Sequence, residues 1–225
     1  MAQTWRELLF AHWAVDPEVL GRVMPPQLRP DVREGSAWLA VTPFRVEGFR
    51  LRGLPPLPFA SGFLEVNVRT YVTVDGRPGI YFFSLDANSR LAVRGARLTY
   101  RLPYFRSRMS MSHGDGAIEM RAARASPDGP AAELVWRYRP DGAPLPRRRQ
   151  SLERWLTERY CLYTLDDRGV IQRGEIHHPP WSLQPAMATI KANSMAGALG
   201  VTLEGDPLLH YAERQDVVLW AIEPA

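Results

Sequence analysis

Polar and apolar positions alternate without a break through Glu65-Val66-Asn67-Val68-Arg69-Thr70-Tyr71-Val72. Glu65, Asn67, Arg69 and Tyr71 fall on odd positions, and Val66, Val68, Thr70 and Val72 on even ones. A period of two marks a β-strand, whose successive side chains leave on opposite faces. Related signals predict strands over 36–46, 64–74, 80–87, 108–112, 117–124, 133–139, 160–165, 170–176 and 217–222. Turn residues separate them: Asp75-Gly76-Arg77-Pro78-Gly79 makes a hairpin, 113–116 and 126–130 make a meander, and 166–169 closes a second hairpin. Short helices are predicted behind Asp16-Pro17 (Leu20 and Val23 on one face, Pro25-Pro26 stopping it), behind Ser89 (Ala92, Ala96 and Tyr100 on one face, Pro103 ending it), and behind Ser151 (Leu152, Trp155 and Leu156). Residues 186–194 fit helix or strand, and the Pro-rich stretch 51–58 reads as a loop. The expected fold is α+β and mainly β, an antiparallel sheet curled into a barrel with peripheral helices. With no internal repeat and no long linker, residues 1–225 are expected to form one domain.

Composition narrows the function classes. Seven Trp, eight Tyr and eight Phe among 225 residues can fill a sizeable core. Arg6, Glu7, His12 and Asp16 break the apolar runs near the start, which leaves neither a signal-peptide core nor a spanning helix. A single cysteine, Cys161, makes no internal disulfide and no metal cluster. The expectation is a cytoplasmic protein with no membrane partner. Lys191 is the only lysine among 28 basic residues, and the arginines are scattered apart from Arg147-Arg148-Arg149. That spread argues for compositional bias rather than a nucleic-acid surface, so no nucleic-acid partner is expected.

The polar face at 65–71 is either a solvated sheet surface with cross-strand ion pairs or the polar wall of a pocket. A five-residue loop at 75–79 sets Arg69 across from Leu85. Pairing of Asp75 with Ile80 instead sets Arg69 across from Asp86 and Tyr71 across from Ser84, gathering Glu65, Arg69, Ser84 and Asp86. One residue of slip exchanges the faces, and both registers stay open.

At this segment the chain resembles a known family. The runs FLEVNVRTYV at 63–72, GIYFFSLD at 79–86 and YRLPY at 100–104 look like the uncharacterised YqjF-like family. So do WRELLFAHW at 5–13, AWLAVTPF at 37–44, RYCLY at 159–163 and HPPWSLQ at 178–184, so the likeness covers nearly the whole chain. This family is similar in fold, more distantly, to acetoacetate decarboxylase, whose β-barrel encloses a cavity with a Schiff-base lysine and a nearby glutamate. The resemblance implies an acetoacetate decarboxylase-like barrel and carries Glu65 over as the catalytic carboxylate. It also exposes a departure: where the decarboxylases place the lysine directly after Tyr-Pro, this chain has Tyr104 after Pro103, then Phe105 and Arg106. Arginine stays protonated and is no nucleophile, so imine chemistry at that position is excluded.

Other candidates carry less. Lys191 is either a relocated Schiff-base lysine or, more simply, a surface lysine. His12 and His177-His178 with Glu65 or Asp86 lack metal-binding spacing, so no metal and no cofactor are expected. Ser84 with Asp86 and a histidine has the residue types of a hydrolase triad but no nucleophile elbow. Cys161 reads as a buried inert thiol. Tyr100, Tyr104, Tyr160, Tyr163 and Trp181 are either cavity lining or ordinary core. The expected site is Glu65 as acid or base, with Asn67, Arg69, Tyr71, Ser84, Asp86, Tyr100, Tyr104 and Trp181 around a small ligand, expected to be a carboxylate. The function is then an enzyme of lyase type acting without an imine, or a sensor or carrier in the same pocket; a homo-oligomer is left open.

Overall fold

A computed structural model describes residues 1–50, 62–124 and 129–225. The predicted loop at 51–58 and most of the turn at 126–130 lie outside these residues. In chain order the described elements are β1 (Ala2–Val15), α1 (Pro17–Arg22), β2 (Ala37–Arg50), β3 (Phe63–Val74), β4 (Arg77–Ala87), α2 (Arg90–Tyr100), β5 (Tyr104–Gly114), β6 (Ala117–Arg124), β7 (Ala132–Pro140), α3 (Leu152–Thr157), β8 (Cys161–Leu165), β9 (Ile171–His177), β10 (Gln184–Asn193) and β11 (Leu208–Pro224). The three helices start where their caps predict. Asp16 accepts from Glu18 N, Ser89 from Ala92 N and Ser151 from Arg154 N. Of the ambiguous stretch 186–194, residues 186–193 are strand.

The sheet runs β1-β2-β3-β4-β5-β6-β7-β10-β11-β9-β8 and closes on itself through β1–β11 and β4–β8. Two strands make this closure branched. The outer edge of β4 pairs in parallel first with β8, at Ile80 and Tyr81, and then with β5, from Leu85 to Ala87. Likewise β11 serves β10 at His210 and Tyr211, and β9 from Val218 onward. The result is a seven-stranded ring, β1-β2-β3-β4-β8-β9-β11, with an antiparallel arm of β5, β6, β7 and β10 spanning from β4 back to β11.

Both faces of the central strands are therefore buried. The valine row of β3 (Val66, Val68, Val72) packs with Leu9, Ala11, Trp13 and Leu39 against Met120, Leu134, Trp136 and Tyr138 of the arm. The opposite face lines the seven-stranded ring. Burial on both sides overturns the solvated-sheet reading of the 65–71 alternation: Glu65, Asn67, Arg69 and Tyr71 are all buried.

The hairpin adopts neither expected register. Its loop is the two residues Asp75-Gly76, with φ of 50° and 75°, and Val74 pairs with Arg77. Positive φ at both corners is what a two-residue turn compatible with strand twist demands, and an Asp-Gly pair supplies it. That preference outweighs Pro78, which sits harmlessly near the strand start. Continued unbroken, this register would place Ser84 beside Asn67 and Asp86 beside Glu65. A bulge intervenes, because Arg69 pairs with Phe82 and Val68 with Ser84, which leaves Phe83 as the extra residue. A second bulge lies in β1 between the pairs Arg6–Arg45 and Ala11–Val41, where Glu7 takes φ 55° opposite the stretch of β2 that holds Pro43.

Candidate functional site

The interior of the seven-stranded ring is built by alternation. From β3 come Glu65, Asn67 and Arg69, from β1 Trp5 and Leu8, from β2 Thr42 and Phe44, and from β4 Phe82 and Leu85. Leu162, Ile176 and Leu219 complete the far wall. Arg101 caps α2 in the left-handed conformation, φ 53°, turning the chain so that Leu102 and Tyr104 reach the same space. What remains is a cavity of about 40 Å³, room for roughly three water molecules.

Glu65 is 4% exposed, and its Oε2 accepts a hydrogen bond of 2.8 Å from the Tyr104 hydroxyl. Burial pushes its pKa up to about 7; hydrogen bonding to Tyr104 and Asn67 opposes this, the Asp86 charge adds to it and the Arg69 charge opposes it. The Tyr104 hydroxyl is driven well above its ordinary value by burial and by Glu65, so the phenol stays a donor. Arg69 is 5% exposed and lies 5.1 Å over the Phe10 ring. Among the described residues no carboxylate comes within ion-pair distance of it, and its Nε has no hydrogen-bond partner. Glu65 and Arg69 thus share a cavity without neutralising each other through an ion pair. The site is a buried cation beside a carboxyl group that holds its proton up to neutral pH.

Tyr71 lies further along the same face, with its hydroxyl 2.7 Å from His12 Nε2. Burial, then the Arg69 charge, lowers the His12 pKa well below the usual histidine value, so His12 is neutral. Beyond it, Arg159 covers Tyr71 at 5.2 Å and Trp155 at 4.4 Å, and pairs with Asp31 at 2.6 Å.

Besides Tyr71, four of the expected site residues lie outside the cavity lining. The Phe83 bulge turns Ser84 and Asp86 to the opposite face of β4, so neither reaches the cavity. Asp86 is committed there: its Oδ1 accepts from Arg124 Nε at 2.7 Å and from the Ser107 hydroxyl, and Oδ2 accepts from Arg124 Nη2. The triad reading of Ser84 and Asp86 ends with that pairing. Tyr100 packs at the end of α2 among Leu102 and Phe82. Trp181 backs the cavity wall, stacked on Trp5 at 6.1 Å and edge-on to Phe10 at 4.9 Å. Its other side borders an open groove of about 560 Å³ lined by residues of 145–148 and α3. Lys191 is exposed on β10 and does not line the cavity. His178 stacks on Tyr160 at 4.6 Å, far in role from His12 inside the ring. The residues missed from sequence are Trp5 and Thr42. Leu8-Leu9-Phe10-Ala11 is apolar at every position, and only the folded chain separates Leu8 and Phe10 from Leu9 and Ala11 between two cores.

Among the described residues no helix is long and apolar enough to cross a membrane. The family model DUF2071, described as an uncharacterised conserved protein, matches residues 2–216. Over 223 residues the chain is 47% identical to the uncharacterised protein YqjF of Bacillus subtilis, covering 99% of this chain and 91% of that one. Two solved structures share the fold at low identity. The enduracididine biosynthesis enzyme MppR complexed with pyruvate aligns with a TM-score of 0.69 at 12% identity, over 99% of this chain and 89% of MppR. Acetoacetate decarboxylase from Legionella pneumophila aligns with a TM-score of 0.69 at 11% identity, over 98% and 86%. The expected acetoacetate decarboxylase-like fold is the one the chain adopts.

Proposed function

We propose that this chain, which belongs to the DUF2071 family of uncharacterised conserved proteins, binds a small carboxylate inside its seven-stranded ring and exchanges a proton with it through Glu65. The observation that carries this reading is the buried Arg69 with no carboxylate partner, in the same cavity as Glu65. A buried cation without a counter-ion is costly, and a carboxylate ligand would supply the counter-ion through two charge-assisted hydrogen bonds. Glu65, with a pKa of about 7, is matched to giving or taking a proton at neutral pH. Tyr104 would hold it in place. The fold shared with acetoacetate decarboxylase and with pyruvate-bound MppR supports a small-molecule ligand and a lyase-type reaction. Among the lining residues there is no amine, so the reaction proceeds without an imine. A second reading, a sensor or carrier with no chemistry, draws on the cavity's size of about 40 Å³; turnover of any bound acid would exclude it.

Two measurements test the site. Arg69→Lys should keep the fold but weaken carboxylate binding by roughly 1–3 kcal/mol, because an ammonium cannot reproduce the guanidinium fork. Thermal melts of both proteins with pyruvate, acetoacetate and acetate would read it; equal ligand-induced shifts would remove Arg69 from the site. Borohydride with acetoacetate or pyruvate should leave no adduct on the protein, since Lys191 is exposed and away from the cavity. A mass gain localised to Lys191 would revive imine catalysis.

A further inference from the structure

We infer that the open groove beside α3 is a second ligand site, separate from the ring cavity, that takes an amphipathic acid: an apolar chain with one anionic head, as in a medium-chain fatty acid. This stands apart from the small-carboxylate reading above. The groove holds about 560 Å³, inside the range of about 300–1,000 Å³ usual for small-molecule sites. The ring cavity, at about 40 Å³, has no room for such a chain. Leu145, Leu152, Pro180, Trp181 and Leu183 give the groove an apolar lining, and Arg147, Arg148 and Arg154 line it too.

The backbone that carries two of these arginines has no regular structure of its own, yet it is pinned. Residues 141–150 form no helix or strand. They run alongside 180–185: Asp141 N donates to Pro185 O at 2.8 Å, Leu145 N to Leu183 O at 2.8 Å and Arg147 Nη2 to Pro180 O at 3.2 Å. The Gln184 amide donates back to Gly142 O at 2.7 Å, and Arg33 donates to Gln150 O at the far end. Among the described residues none of Arg147, Arg148 and Arg154 has a carboxylate within ion-pair distance. Glu153 and Glu158 are the carboxylates of the lining, and Glu158 is engaged, accepting from Trp181 N at 3.1 Å and from the Tyr160 hydroxyl. Three arginines against two carboxylates leave the lining positive, which favours an anionic head over a cationic one. The leucines and Trp181 decide what that head is attached to. An apolar chain gains by leaving water there, whereas a bare phosphate or a polyanion would leave the apolar lining uncovered.

The test is calorimetric titration of the intact protein with decanoate, decan-1-ol and decyltrimethylammonium, each kept below the concentration at which it self-associates. Decanoate should bind about tenfold tighter than decanol, the value of one hydrogen bond to a charged group, and decyltrimethylammonium should bind weakest. Arg148 and Arg154 are exposed, so Arg148→Glu/Arg154→Glu should melt with the parent and lose the preference for decanoate over decanol. If the double variant unfolds, Arg148→Glu alone carries the comparison. Arg69→Lys changes the ring and should leave decanoate binding within about twofold. No saturable decanoate binding, decanol binding as tight as decanoate, or a preference that survives the charge reversal would each overturn the inference. So would a decanoate affinity that falls with Arg69→Lys and not with the groove variant, since the acid would then sit in the ring. The melts with acetate and pyruvate described above judge the ring site separately.

Discussion

Arg124→Met should destabilise the fold by about 3–5 kcal/mol, the range expected when one partner of a buried ion pair is removed. The side chains of Arg124 and Asp86 are 2% and 0% exposed, and Phe105 lies over the guanidinium at 4.1 Å. Without Arg124 the Asp86 carboxylate keeps, among the described residues, only the Ser107 hydroxyl and is left buried without a counter-charge. For a chain of 225 residues, that loss corresponds to a drop in melting temperature of roughly 10 °C. The double variant Asp86→Leu/Arg124→Met removes both charges together and should recover most of the loss. Denaturant unfolding of the single and double variants measures the coupling. A single-variant loss below about 1 kcal/mol would mean that the pair is already solvated.

Glu65→Gln should stabilise the protein at pH 8 and not at pH 4.5. Glu65 titrates near 7 in the folded chain against 4.5 for its ordinary value, so the folded state binds more protons across that window. Stability therefore falls as pH rises from 4.5 to 7, by roughly 3 kcal/mol at 1.36 kcal/mol per unit, and falls no further above it. Glutamine keeps an oxygen to accept from Tyr104 and has no charge to bury. His12, His178 and His210 all have lowered pKa values, with burial the largest cause. Their contribution runs oppositely, present above the ordinary histidine pKa and lost as pH falls below it. Because those histidines are common to both proteins, the difference between variant and parent isolates Glu65. A difference that stays flat between pH 5 and 8 would show that Glu65 titrates normally and is not the proton carrier.

The elements that were legible in the sequence are those whose signals are local. Asp16, Ser89 and Ser151 cap helices because the cap is made by a side chain two or three residues away. The Glu65–Tyr71 row was legible because four alternating positions need no partner to define a face. The wrong register came from choosing a longer loop over Asp75-Gly76, and the misplacement of Ser84 and Asp86 follows from one bulged residue, Phe83. No propensity announces such a bulge; long-range pairing with β3, β5 and β8 fixes it. Strand β1 escaped prediction for a related reason. Leu8-Leu9-Phe10-Ala11 is buried on both faces, so it has no polar phase, and the bulge at Glu7 breaks the period just before it. Trp5 and Thr42 join the site only through that same distant pairing.

The closure of the ring by β1 and β11 also sets an order in time. Thr4 pairs with Asp216 and Trp5 with Gln215, so the cavity wall that carries Trp5 and Leu8 gains its second neighbour only after residues 208–224 have been synthesised. Pairings this distant in sequence are slow to form. Until then Arg69 and the apolar interior stand open to solvent on a growing chain, where exposed strand edges invite misassembly. The cavity is a late product of folding: a chain cut short before β11 would retain every residue of the Glu65–Tyr71 strand and still lack the closed ring around it.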